Sequence, residues 1–469
     1  MTDVNRNRAI PFSIGLGTMI AALHASGMNA AFPVIAQQTG ASVAGAQWIL
    51  TVYTLALSGC LLTFGRLGDR AGLRGVYLGG LAAFTIASAA CALAPNLVTL
   101  VVLRGIEGVG AAMISATSAA ILARHLPASR LGQALGWQAG MTYFGLALGP
   151  ALAGFVAEQY GWRALFLMNL PLGAIAMIVA ARVLESVSCR PRLTKFNGLE
   201  SLAWIATLVP LMVALSGWQP GGWLSLRTTI LGAATCVCCA AFVVINRRSA
   251  DPLIRFAVFR RAAFSAATLA ETVYYVCLYA TGFLMPLYLM RARGFGAAET
   301  GFFVACQCLA RAMAAPIGGR LTDRSGVRIP TGLGVVILGI GMLCLCRLDS
   351  GTSAVQVGAT LVLVGIGTGL FVPANSTSLL GSAPTELYGM AGSILATARN
   401  LGMTLGVAIA AAMYTVSAPG EAAGAAAAIA GVRGAFTVVA ALAVVNAIGF
   451  ILASVNWAPG GADRVPEPS

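Results

Sequence analysis

Arg104 and Glu107 stand three residues apart inside one long apolar run. Glu271 stands inside another, with Tyr274 and Tyr275 three and four residues further on. At helical spacing each group shares one face. A carboxylate beside a guanidinium is a pair that proton binding can loosen. A carboxylate flanked by aromatic faces suits a lipophilic cation, through charge pairing and cation–π contact. The structural alternatives are a permanent ion pair for Arg104 and Glu107, and a packing hydrogen bond for Glu271. Arg311 lies in a third apolar run, either as counter-ion of Glu271 or Glu107 or as anchor for a carboxylate-bearing substrate, so the set could favour zwitterions. His24, mid-way along the first run, can relay a proton or stay neutral among apolar neighbours. Asn29, one to two turns on, reads as a polar lining residue. Arg399 reads as a packing or gating residue. The proton-coupling candidates are therefore Glu107, Glu271, Arg104 and His24. The substrate-binding candidates are Glu271, Tyr274, Tyr275, Asn29 and Arg311.

These residues do not make an enzyme. The chain has two His, His24 and His125, and lacks a convergent nucleophile–base pair, an HExxH stretch and a phosphate loop. Paired cysteines such as Cys306 and Cys308 have no His nearby in sequence, so they read as small hydrophobes and not as metal ligands. Of the cysteines, only Cys189 looks loop-borne. No cofactor is expected.

The elements that must carry these residues are membrane helices. The 469-residue chain is 58% hydrophobic and 9% charged, whereas soluble domains carry about a quarter charged residues. The apolar stretches run to roughly 20 residues, enough to cross about 30 Å of hydrocarbon, and lack the alternation of a β-barrel. Fourteen spans are expected, near 10–35, 46–65, 75–94, 97–122, 132–157, 163–184, 198–216, 224–246, 263–290, 298–318, 329–347, 354–380, 388–415 and 431–454. The first is too long for a signal peptide.

The net charge of +14 is dispersed over short loops, so topology explains it and nucleic acid is not an expected partner. Loops after even-numbered spans hold clusters such as Arg66/Arg70/Arg74, Arg190/Arg192/Lys195 and Arg320/Arg324/Arg328, and the C-terminal tail holds Arg464. The opposite face holds only Arg163, Arg227, Arg291, Arg293, Arg347 and Arg433. Both termini are thus expected in the cytoplasm, with the chain multi-pass in the inner (cytoplasmic) membrane. Trp218 and Trp223 fit an interfacial belt.

A short phrase occurs twice. GRLGDRAGLR (65–74) and GRLTDRSGVR (319–328) agree at seven of ten positions, at an offset of 254. Gly132, Gly145 and Gly149 recur as Gly389, Gly402 and Gly406 at an offset of 257. The pattern implies two homologous six-helix halves with two helices inserted between them: 1–188, 189–260 and 261–469. Parallel repeats of this kind place a substrate near the membrane midplane.

The repeated phrase resembles the loop signature of the major facilitator superfamily, through Gly65, Leu67, Asp69, Arg70, Gly72 and Arg74, with Asp323 and Arg324 in the second copy. LRGIEGVGAA resembles that family's span-four motif, with Arg104, Gly108 and Gly110 in place and Glu107 where Gln is usual. GLALGPALAG matches its antiporter motif at Gly145, Gly149, Pro150 and Gly154. GWRALFLMNLPLG (161–173) and TARNLG around Arg399 resemble segments of the fourteen-span drug:proton antiporter branch. That branch usually has Asp in span one where this chain has His24, although Leu23, Asn29 and Pro33 match. The resemblance implies an all-α major facilitator fold and a gating latch at the repeated phrase. It implies alternating access, with export of small amphipathic compounds in exchange for protons. A dedicated exporter of one metabolite or amino-acid-like compound is the alternative, and an uptake symporter a lesser one. The expected partners are a small-molecule substrate, protons and the bilayer, and the expected working unit is a monomer.

Overall fold

The computed structural model describes residues 3–38, 43–184, 198–216, 225–417 and 425–455. The loop with Cys189, Arg190, Arg192 and Lys195, the belt residues Trp218 and Trp223, Arg464 and the expected boundary at 188/189 lie outside the described residues.

Among the described residues, fourteen helices are long and apolar enough to cross a membrane. They are α1 (Asp3–Gln38), α2 (Val43–Ala71), α3 (Leu73–Ala92), α4 (Leu97–His125), α5 (Ala128–Tyr160), α6 (Trp162–Val183), α7 (Gly198–Ser216), α8 (Leu226–Arg248), α9 (Ala262–Leu287), α10 (Ala297–Ser325), α11 (Arg328–Leu345), α12 (Ala354–Gly381), α13 (Tyr388–Ser417) and α14 (Ala425–Val455). Inside a bilayer every backbone group must bond within its own segment, so continuous apolar runs become helices. Side chains finish several ends. Asn96 accepts from the Thr99 amide at 2.9 Å, and Ser353 and Gln356 cap each other's amides. Pro286 lies near the end of α9, where the chain passes into one wide helical turn over Tyr288–Ala292.

The two halves repeat one packing scheme. In the first, α1 packs on α5, and α4 on both α2 and α3; in the second, α9 packs on α13, and α12 on both α10 and α11. The halves meet along two reciprocal seams, α5 with α10 and α2 with α13. The inserted pair is peripheral. α7 packs against α8 and on α2, where Ile205 fills the space beside Gly59. On α8 only Phe242 and Asn246 are buried, as suits a helix bathed in lipid. The segment after α8 turns inward, and Leu253, Ile254 and Val258 are buried with Leu379 and Leu387 of the second half.

One expectation needs correction. The repeated phrase is not a loop. Residues 65–71 are the last turns of α2, and 319–325 are the last turns of α10. The chain breaks only at Gly72 (φ 103°) and its counterpart Gly326 (φ 78°), where a side chain would be strained. Continuing the helix carries Asp69 and Asp323 to the neighbouring half.

Candidate functional site

The two halves grip each other at these helix ends. Asp69 accepts from the amides of Gly389 and Met390 at 2.6 and 2.9 Å, at the start of α13. Asp323 accepts from the amides of Gly132 and Gln133, both at 2.8 Å, in the early turns of α5. Helix N-termini attract carboxylates, so each half grips the other in the same way. Gly65 abuts Gly389, and Gly319 abuts Gly132, so closely that a Cβ at any of them would strike backbone of the facing helix. The latch arginines divide. Arg66 and Arg70 both pair with Asp251, beyond α8, the latter at 3.0 Å. Arg74 donates to the Ala181 carbonyl at 3.1 Å, and Arg324 is exposed.

The small residues of α5 split similarly. Gly145 and Gly149 press α5 onto the Met19 and Leu23 carbonyls of α1, while Gly154 faces open space and Pro150 is exposed. Gly402 and Gly406 press α13 onto α9 at Thr272 and Val276. Small residues let helix backbones approach this closely.

The first charged cluster lies inside the N-terminal half. Arg104 donates to Glu107 Oε2 at 2.7 Å, forming the pair their spacing implies. His24 Nε2 lies 3.0 Å from Glu107 Oε1 and 3.0 Å from Arg104 Nη1. All three are buried. α2 supplies the Ile49 carbonyl to Arg104 at 3.2 Å and the Tyr53 ring under its guanidinium at 4.2 Å. α6 supplies Asn169, whose amide nitrogen is 2.7 Å from His24 Nδ1 and 2.9 Å from Ser88. Phe84 and Phe166 wall the imidazole edge-on. The two departures noted in the sequence, His24 from the branch's span-one pattern and Glu107 from the superfamily's span-four motif, are thus direct partners. Glu107 sets a carboxylate from α4 against both His24 and Arg104.

The second cluster lies in the C-terminal half. Glu271 is fully buried and accepts from Arg399 at 2.6 Å and from Asn375 at 2.6 Å. Arg399 also donates to Ser376 at 2.9 Å. Glu271's cation is therefore Arg399, and Arg311 is the counter-ion of neither carboxylate. Tyr274 departs from expectation too. It stacks on Phe371 at 4.0 Å and turns its hydroxyl to Thr368, inside the bundle. Tyr275 faces the boundary between halves. Its hydroxyl is 3.5 Å from that of Tyr143 on α5, and Arg399 lies 5.7 Å from its ring. Asn29 is exposed, donates to the Ala25 carbonyl at 3.5 Å, and among the described residues joins neither cluster.

Between the halves is a cavity of about 50 Å³, lined among others by Gln138, Thr142, Tyr143, Tyr275, Ser376 and Arg399. Arg311 borders Tyr143, its guanidinium 5.3 Å from the ring. Arg311 is buried, donates to Cys308 Sγ at 2.8 Å and leaves Nε without a partner. Among the described residues no carboxylate pairs with it. Sequence reasoning missed Asn169, Ser88, Asn375 and Tyr143. Their signal was present, since each is a polar group within an apolar run.

The family description Major Facilitator Superfamily matches residues 14–247 and 267–468. The chain belongs to that superfamily. Multidrug resistance protein Stp of Mycobacterium tuberculosis (strain H37Rv) is 32% identical over 409 residues, covering 87% of this chain and 76% of the relative. The tetracenomycin C resistance and export protein of Streptomyces glaucescens is 28% identical over 85% of this chain and 74% of its own. Riboflavin transporter RibZ of Clostridioides difficile (strain 630) is 28% identical over 86% and 87%. Among solved structures, the human organic anion transporter MFSD10 superposes with a TM-score of 0.68 at 15% identity, covering 95% of this chain and 99% of that one. The fold is that of a major facilitator transporter, and the protein is a membrane transporter and not an enzyme.

Proposed function

We propose that this transporter exports small amphipathic compounds across the cytoplasmic membrane in exchange for protons, by rocking of its two halves about the midplane. The observation that carries the reading is a pair of fully buried carboxylates, Glu107 and Glu271, each held by an arginine within a different half. Buried charge at this depth is costly, so it is kept where it moves protons or cargo. The names of relatives such as Stp and the tetracenomycin C exporter support the direction and the class of cargo. The distribution of arginines supports both termini, and the latch, on the cytoplasmic side.

In this mechanism proton and cargo compete for Glu271. A cationic group displaces Arg399 or the proton from the carboxylate, and neutralising Glu271 cancels its attraction to Arg399. The sign matters. A purely anionic cargo taking Arg399 would leave Glu271 unpaired and favour its protonation, which couples cargo and proton in the same direction. Exchange requires a positive group on the cargo. Arg311 adds a second requirement, because it is a buried cation that no carboxylate pairs with among the described residues. The cargo that satisfies both is zwitterionic, with its amine toward Glu271 and its anionic group on Arg311. That chemistry favours the amino-acid-like alternative over a simple lipophilic cation.

The test is purified protein in liposomes with a trapped pH dye under an imposed pH gradient. Lipophilic amines, zwitterions and neutral antibiotics are added to wild type and to Glu271→Gln. Proton flux triggered by zwitterions in wild type and absent from Glu271→Gln is expected. Equal flux in both proteins would remove Glu271 from the coupling path.

A further inference from the structure

A second cavity, of about 570 Å³, opens at the latch end of the bundle where α1, α5 and α10 meet. Its walls include Arg8, Arg130 and Arg320, together with the apolar Phe12, Trp137 and Met141. Arg8 and Arg130 belong to the N-terminal half and Arg320 to the C-terminal half. The three arginines are exposed, and among the described residues none of their guanidinium groups has an ion pair or hydrogen bond. The nearest acid along α10, Asp323, is already engaged by the Gly132 and Gln133 amides. Among the described residues, the groove is therefore a concentration of positive charge with no acid paired to it. Phe12 and Trp137 are 56% and 46% exposed, which places large apolar side chains beside the cations. Arg130 lies in the first turn of α5 and Arg320 in the last two turns of α10, a depth at which arginine meets phosphate headgroups.

We propose that this groove binds the headgroup of an anionic phospholipid, the phosphate on Arg8, Arg130 and Arg320 and the upper acyl chain along Phe12 and Trp137. Guanidinium forks match phosphate oxygens, and an interfacial Trp suits the boundary between headgroup and chain. The site spans the α5–α10 seam, and Gln133 lines it while its amide is held by Asp323. A bound headgroup joins the halves only while that seam is closed. It thereby favours the latch-closed state by its differential affinity for the two arrangements. This is a lipid site separate from the cargo path at Tyr143 and Tyr275.

The experiment follows thermal unfolding of the purified full-length transporter in detergent as short-chain phosphatidylglycerol, phosphatidylcholine or inorganic phosphate is added. Phosphatidylglycerol is expected to raise Tm by about 2 °C or more at saturation, with no comparable effect from the other two. The shift is expected to vanish in Arg8→Gln/Arg130→Gln/Arg320→Gln and to survive in the matching triple Lys variant. Each single Gln substitution should lower it in part, which keeps the test decisive should the triple Gln variant fail to fold. A full shift in the Gln variants or an equal response to phosphatidylcholine would overturn the proposal. So would reproduction of the shift by phosphate alone, which would make the groove a site for soluble anions.

Discussion

Replacing Arg399 by Gln leaves Glu271 buried without its cation. Breaking a buried pair from one side costs about 3–5 kcal/mol, so this variant is expected to unfold well below wild type in a thermal melt. Glu271→Gln should cost less, because Asn375 can still bond a neutral amide and Arg399 keeps Ser376. Arg311→Gln is expected to leave stability within about 1 kcal/mol of wild type, since no ion pair is lost, while transport of carboxylate-bearing cargo falls more than that of matched esters. Unchanged discrimination in a competition assay would remove Arg311 from cargo recognition. At this scale the sequence made the charged residues visible, because Arg, Glu and His inside apolar runs stand out. It left their partners open. Spacing within one helix joined Arg104 to Glu107, but Arg399 lies 128 residues from Glu271, a pairing fixed only by how α13 packs on α9. For the same reason His24 and Glu107 were legible as two separate departures and not as one contact.

Among the elements, the small residues of the two seams divide into those that touch and those that do not. Gly65→Val would drive a side chain into the start of α13 and is expected to disturb the closed seam. Gly154→Ala is expected to be silent in both stability and flux, because nothing lies within reach of a new Cβ. Gly72→Ala should lower stability by about 1 kcal/mol through its positive φ, read as a lower Tm. Motif matching alone treated Gly145, Gly149 and Gly154 alike, whereas packing separates the first two from the third. The spans were legible because hydrocarbon thickness sets their length. Their ends were not, since the polar last turns of α2 and α10 read as loop by composition and are helical because Asp69 and Asp323 must reach across.

Across the whole molecule the halves are alike in scaffold and unlike in charge. Glu271 and Arg399 join α9 to α13, and the corresponding position between α1 and α5 holds Thr18 and Thr142, hydrogen-bonded at 3.0 Å. The ion pair is thus a feature of one half laid on a repeated frame. The carboxylate contacts of Asp69 and Asp323 across the seams, by contrast, are symmetric, and Asp69→Asn and Asp323→Asn should each weaken the seam it bridges. Spin-label distances across α2–α13 and α5–α10 are expected to broaden in the corresponding variant. The central claim is that the buried carboxylates Glu107 and Glu271 carry proton coupling, with Glu107 acting from α4 beside Arg104 and His24. The measurement that reaches it most directly is cargo-triggered proton flux in liposomes for wild type, Glu107→Gln and His24→Asp/Glu107→Gln. The single variant is expected to lose coupled flux, and the double variant, which returns the acid to α1 beside Arg104, to regain it. Full coupled flux in Glu107→Gln alone would contradict the account.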